Sequence, residues 1–410
     1  MSFRYESLDE LAADGIEVQL DPNQAVLLER SELVDVRRVD DGTYQLLPNG
    51  RVGAVRFDNL QIEVTPKQKL GVAHLIFLLG YAKNPGFRPE TVTAATYGDL
   101  WPAMAESLIA SVEQALTMGL LQGYRTEQEA LLTVRGRIAF ADQLRRRPGY
   151  FLPIEMRYDE FSPDIAENQI LLAAIYLMLG VPRLQPETRR RLLHLAARFA
   201  GVTRLLPGTP APAWQPSRLN DRYQSALGLA EILLRHSSTR VSAAGAEMSA
   251  FVVVMWEVFE DFVTVALKEA LAGYPGYLES QLAAYLTGDG DWTRGGGNSH
   301  GDVFMRVDVV HRDEAGNPDV VFDAKYKLAS STGTNANADH YQMLAYCTAL
   351  QVPVAWLIYA GGGKDIRRSI KNAGVDVVAA PINLRQSPHE VLARVRQIAL
   401  TAVNEPAVSV

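Results

Sequence analysis

Cysteine is almost missing from this sequence: Cys347 is the only one among 410 residues. An internal disulfide is therefore excluded, and with it the stapled scaffolds of oxidising compartments. No stretch carries the Cys/His spacing of a zinc site, and the seven histidines are scattered. The longest apolar runs, "AHLIFLLGYA" and "ILLAAIYLMLGV", are too short to span a bilayer. The opening "MSFRYESLDELAADG" lacks the basic head and apolar core of a signal peptide, so a cytoplasmic protein with no membrane contact is expected. Positive charge is also short, with a net charge of −7. That argues against a chain that coats nucleic acid non-specifically. Local basic stretches such as "QLRRRPG" and "ETRRRLLHLAARFAG" read first as solvated helix faces. The glycine-rich stretches "RGGGNSHGD" and "YAGGGKDIRR" lack the G-x-x-x-x-G-K-[ST] phosphate loop, so no nucleotide is expected to bind this chain itself.

What is present is enough apolar material, 48% of residues, for two or three domains with proper cores. Residues 1–95 hold short β-rich pieces, "VDVRR", "TYQLLP", "GRVGAVRF" and "LQIEVTP", separated by turn residues. They are expected to form a small N-terminal domain. Residues 96–244 are mainly helical, with apolar residues at helical spacing in "DLWPAMAESLIASVEQALTMGLL", "ENQILLAAIYLMLG" and "PETRRRLLHLAARFAG". The β-like "ALLTVRGRIAF" interrupts them. Residues 245–410 predict an α/β domain with a mixed sheet flanked by helices. It opens on one long amphipathic helix, "AEMSAFVVVMWEVFEDFVTVALKEALAG", and then a polar loop, "TGDGDWTRGGGNSHGD", expected to be mobile. The hairpin "VFMRVDVVHR"–"DVVFDAKYKL", the helix "HYQMLAYCTAL", two strands and a last helix complete the order.

The hairpin carries the candidate chemistry. Its second strand contains a literal Pro318-Asp319 and Asp323-x-Lys325. Asp319 and Asp323 are four apart on one strand, hence roughly 13 Å apart, too far for one ion to bridge. Asp308 on the preceding strand is the better first acid. If Asp313 pairs with Pro318 across the loop "EAGN", Asp308 falls directly opposite Asp323, with Cβ atoms about 4.5–5.5 Å apart. Two close carboxylates repel unless a cation or proton intervenes, so a divalent metal is the natural solution. Lys325 shares the face of Asp323 and Lys327, which is expected to be outward, while Phe322, Ala324, Tyr326 and Leu328 point inward. Glu260 lies on the upstream helix, and Gln342 and Tyr346 share one face of the downstream helix.

The order Glu helix, Asp strand, Asp-x-Lys strand, Gln-x-x-x-Tyr helix resembles the PD-(D/E)xK nuclease superfamily in its RecB-like variety. Along most of its length the chain is similar to the McrC family, the nuclease subunits of McrBC modification-dependent restriction systems. The similarity rests on "RVGAVRFDNLQIEVTPK", "GLLQGYRTEQEALLTVRGRI", "YDEFSPDIAENQILLAAIYLML", "MWEVFEDFV", "VVFDAKYKL" and "DHYQMLAY". One departure is Val307, which stands where the family often has proline. The resemblance implies a Mg²⁺-dependent DNA endonuclease (Mn²⁺ as a substitute) whose Asp308, Asp323 and Glu260 serve the metal. Lys325 would assist catalysis, and Gln342 and Tyr346 would position DNA or the lysine. It also implies a hexameric McrB-like AAA+ GTPase as partner, stimulated by the N-terminal part, and double-stranded, modified DNA as substrate. The tips "RVDDGT" and "LPNG" are candidate partner contacts. Two other readings stay open: a catalytically degenerate activator of the partner, and a free-standing RecB-like repair nuclease.

Overall fold

The structure, a computed structural model, describes residues 3–10, 12, 14–66, 70–85, 87, 100–206, 208–241, 247–286, 303–326 and 334–404. By its contacts the chain divides into two units. One comprises Arg56–Asn59 and Glu90–Phe251; the other comprises Ser2–Val55, Leu60–Pro89 and Val252–Val410. The N-terminal β-rich stretch thus shares a unit with the C-terminal α/β stretch.

The N-terminal elements are β1 (Arg4–Asp9), β2 (Ile16–Gln19), α1 (Pro22–Ser31), β3 (Val34–Asp40), β4 (Thr43–Pro48), β5 (Arg51–Phe57), β6 (Leu60–Thr65) and α2 (Val72–Lys83). Strands β2, β4 and β3 form a small antiparallel sheet, and β1 runs parallel to β6. Helix α1 went unread in the sequence although its start signal is complete. Asp21 accepts from the backbone of Asn23 and Gln24, Gln24 reaches back to the Asp21 N–H, and Pro22 opens the helix.

The other unit holds α3 (Leu100–Ala115), β7 (Gly123–Leu131), β8 (Arg137–Ile138), α4 (Phe140–Arg146), β9 (Ile154–Ser162), α5 (Ala166–Leu179), α6 (Pro186–Arg198), α7 (Gln224–His236) and β10 (Ser237–Val241), and the boundary falls within β11 (Glu247–Val254), after Phe251. Helices α3, α5, α6 and α7 pack on one another. The β-like interruption is a three-stranded sheet of order β7-β9-β8. Strand β11 corrects the long helix expected from residue 246 onward. Its "AFVVV" run is β-branched and stiff at χ1, which favours the extended chain over a helix.

The remaining elements are α8 (Met255–Ala270), β12 (Tyr277–Tyr285), β13 (Phe304–Arg312), β14 (Pro318–Lys325), α9 (Thr334–Leu350), β15 (Val354–Ala360), β16 (Ile366–Ile370), β17 (Val375–Ile382) and α10 (Pro388–Asn404). They build a six-stranded mixed sheet of order β12-β13-β14-β15-β17-β16, with β14, β15 and β17 parallel. All seven residues of β15 are buried, as expected for a central strand covered on both faces. Alternate residues of β14 serve different layers. Val321 packs in a core with Met343, Tyr346 and Cys347 of α9, whereas the Tyr326 ring just past the strand meets Phe259 of α8. Helix α8 is held by α2, whose Phe77 and Tyr81 meet Phe262 at ring-centroid distances of 5.5 and 5.6 Å. The Tyr326 hydroxyl donates to Glu10 at 3.3 Å.

Covering both faces corrects the expectation that Asp323 points outward: it is 1% exposed, as buried as its neighbour Phe322. Lys327, Leu328 and the loop "TGDGDWTRGGGNSHGD" lie outside the described residues. Among those described, no helix is long and apolar enough to cross a membrane.

Candidate active site

The site forms where β13 and β14 run side by side. The ladder pairs Val309 with Phe322, Val310 with Val321 and His311 with Val320. Near the turn the register shifts, so that Arg312 rather than Asp313 pairs with Pro318. Asp313 instead closes the turn: its carbonyl accepts from Gly316 and its carboxylate accepts from the Asn317 N–H. The bulge absorbs the one-residue difference. Beyond it the register runs toward Asp308 opposite Asp323. Asp319, the acid of the literal Pro-Asp, is engaged with His311 at 2.7 Å, away from this pair.

Asp308 sits where β13 loses its simple alternation of faces. Val307 and Val310 both belong to the core packed against α9, so the simple alternation of faces breaks between them. The carboxylate turns onto the neighbouring strand and accepts from the Ala324 N–H at 3.0 Å. That hydrogen bond brings it next to Asp323. Burial raises the Asp308 carboxyl above its ordinary value, opposed by the Ala324 N–H and the Lys325 charge.

Asp323 is the most confined group here. Lys325 Nζ stands 2.8 Å from its Oδ2. Among the described residues this charge-assisted contact is the only close polar partner of the carboxylate, and its direction is not that of an ideal hydrogen bond. Burial pushes Asp323 up to about 7 against the pull of Lys325, with Asp308 and Asp339 adding to the rise. For Lys325, burial alone would lower the ammonium, but Asp323 and Asp308 outweigh it and hold it above the usual lysine value. The lysine is therefore a fixed cation at neutral pH.

Glu260 of α8 lies at the side of the pair. Its Oε1 accepts from Gln281 Nε2. Burial and then Asp308 raise its carboxyl. Gln342 donates to the Tyr346 hydroxyl at 2.6 Å, and that hydroxyl donates to the Arg306 carbonyl at 2.7 Å. Tyr346 is buried, so its surroundings fit the bracing of β13 and Lys325 better than contact with a large substrate.

Two groups were not singled out in the sequence. Asp339 is buried and accepts from the Tyr359 hydroxyl at 2.8 Å, and it adds negative potential at Asp323. A signal was available for it, because positions 339, 342 and 346 repeat along one helical face. Gln281 had none, since glutamine does not announce an irregular backbone.

Do these residues fit the divalent ion implied by the family resemblance? Among the described residues no three His, Cys, Asp or Glu side chains come together as a cage. Mg²⁺ does not need one: it is commonly held by one or two carboxylates, with waters and substrate phosphates supplying the rest. A buried carboxylate that has only Lys325 as a close partner among the described residues, beside a second carboxylate, fits that description.

Residues 47–360 match the family described as McrBC 5-methylcytosine restriction system component. No curated protein matches the chain. Among solved structures, a chain of the refined half-complex from a tetradecameric assembly of Thermococcus gammatolerans McrB AAA+ hexamers with bound McrC is similar, with a TM-score of 0.59 and 16% identity. The likeness covers 97% of this chain and 100% of that one and shows a shared fold. A chain of the Thermococcus gammatolerans McrBC complex matches at a TM-score of 0.39 and 18% identity, over 66% of this chain and 89% of that one.

Proposed function

Since the chain belongs to the McrBC family of restriction system components, we propose that it is the DNA-cutting subunit of such a system, a metal-dependent endodeoxyribonuclease with a PD-(D/E)xK arrangement. In this reading it works beside, and stimulates, an AAA+ GTPase hexamer. The observation that carries the reading is Asp323: a carboxylate 1% exposed whose one close partner among the described residues is Lys325, with Asp308 beside it. Burying a carboxylate costs several kcal/mol, which a single ion pair offsets only in part.

Asp308 and Asp323 would hold Mg²⁺, with Glu260 at its margin. When bound, the ion supplies Lewis-acid polarisation of a phosphodiester oxygen and acidifies a coordinated water. Lys325 contributes a permanent positive charge, held by its neighbours, that orients the attacking water and offsets negative charge developing on the phosphate. Ala324 N–H holds the Asp308 carboxylate in place. The Gln342–Tyr346–Arg306 chain fixes the strand that bears Asp308.

Partner and substrate follow from the family: an AAA+ hexamer that drives DNA past the nuclease, and double-stranded DNA carrying 5-methylcytosine. Surface chemistry supports a macromolecular partner. The β7-β9-β8 sheet, α4 and the loop between α4 and β9 expose Tyr124, Phe140, Leu144, Phe151 and Phe161, and Phe151 in the loop is 92% exposed.

The test is cleavage of 5-methylcytosine-containing DNA by the reconstituted complex with GTP and Mg²⁺. Lys325→Ala and Asp323→Asn are each expected to lower cleavage by about 10³-fold or more, the scale of losing a main electrostatic stabiliser. Stimulation of the partner GTPase should persist. Wild-type cleavage by a folded Lys325→Ala protein would remove the assignment. A wild-type complex that stimulates GTP hydrolysis but never cuts would favour the degenerate activator.

A further inference from the structure

Strand β12 runs antiparallel to β13, and its pairing skips one position. Ser280 pairs with Val309 and Leu282 with Val307, so Gln281 and Asp308 face each other outside the ladder. Gln281 has φ 55°, in the left-handed region that L side chains other than Asn and Asp rarely enter. Its side-chain amide donates to Glu260 on α8. One residue therefore opens the sheet opposite the first acid and ties down the third. Strained backbone at such a place points to function when specific contacts accompany it.

We propose that Gln281 is a positioning residue: its left-handed turn releases Asp308 from the ladder, and its amide holds Glu260 toward the shared metal site. This rests on the nuclease reading above. A ladder interruption of purely architectural value would need the backbone turn but not the amide, and glycine separates the two. Gln281→Gly keeps the conformation, which costs glycine nothing sterically, and deletes the amide.

The probe is Mn²⁺ alone, titrated into the full chain and followed by electron paramagnetic resonance. Gln281→Gly is expected to melt at or above the wild-type temperature yet bind Mn²⁺ about tenfold more weakly, the usual effect of removing a group that orients a metal ligand. In a Glu260→Ala background the same change should have no further effect, because the amide acts through that carboxylate. Wild-type affinity in Gln281→Gly, or an equal loss in both backgrounds, overturns the proposal. Should the glycine variant fail to fold, Gln281→Asn takes its place with the same expectations. Asparagine tolerates the turn, and its amide is one methylene short of Glu260. Asp308→Asn is the control for the underlying reading. If it binds Mn²⁺ as the wild type does, the metal site itself is wrong, whatever Gln281 does.

Discussion

Asp323 on β14 and Asp159 on β9 are both mid-strand aspartates, and their settings are opposite. Asp159 is exposed and accepts from Thr126 Oγ1 at 2.7 Å, directly across the β7–β9 ladder. Asp323 is enclosed by a sheet covered on both faces and, among the described residues, has Lys325 as its one close polar partner. The first is an ordinary solvated strand face. The second stores electrostatic tension that a cation would relieve. Environment rather than residue type makes the difference: the β7-β9-β8 sheet keeps one face open to water, Asp159 on it, while β14, β15 and β17 are wrapped in apolar neighbours.

The sharpest way to test that contrast is to truncate one apolar residue in the enclosed sheet and one in the loop that leads into β9. Leu357→Ala, at a position 0% exposed in β15, should cost about 2–5 kcal/mol in chemical denaturation. Phe151→Ala should stay within about 0.5 kcal/mol, as surface changes do. If Phe151 contacts the partner, its loss appears instead as weaker stimulation of the GTPase. A comparable stability loss at both sites would show that the exposed sheet is not as bare as described.

A smaller effect is expected from removing the tension altogether. Replacing the pair together, Asp323→Leu with Lys325→Met, should leave stability unchanged or raise it by about 1–4 kcal/mol while ending cleavage. A clear fall in melting temperature would mean the pair supports the fold, and that its burial is structural.

The smallest effect concerns a third acid, Asp164, which is satisfied where Asp323 is not. Burial raises its carboxyl, but bonds from Gln169 and from the Thr203 side chain and backbone, with the Arg125 charge, outweigh that and hold it below its ordinary value. Its contribution is therefore fully present above the unfolded pKa of about 3.9 and fades as pH falls through the lower folded value. Denaturation midpoints at pH 5 and pH 3 should fall more steeply in the wild type than in Asp164→Asn. Equal slopes would remove the linkage.

Much of the C-terminal sheet was legible because its strands announce themselves by apolar runs and its turn by "DEAGNP". The Asp308–Asp323 juxtaposition followed from counting residues across that turn. The count began from an Asp313–Pro318 pair, whereas the strands meet the turn at Arg312–Pro318, and the bulge beside Arg312 restores the register that runs on toward the two acids. Strand β12 and helix α1 were missed for different reasons. The "YLESQLAAY" of β12 mixes small and polar residues whose burial comes from neighbours, whereas the cap of α1 was present and unread. Strand β11 was taken for helix because apolar residues crowd together there, and a short apolar run does not distinguish the two periods.

By itself the sequence determined which groups are available: the two aspartates, the lysine, the helix glutamate and the Gln-x-x-x-Tyr face, all from local spacing and residue chemistry. Only the tertiary structure decided what they experience. Burial of β14 on both faces, the hydrogen bond from Ala324 to Asp308, and the left-handed Gln281 opposite it arise from long-range packing. The electrostatics of a carboxylate depend on the dielectric and partners that such packing supplies, which no nearest-neighbour pattern encodes.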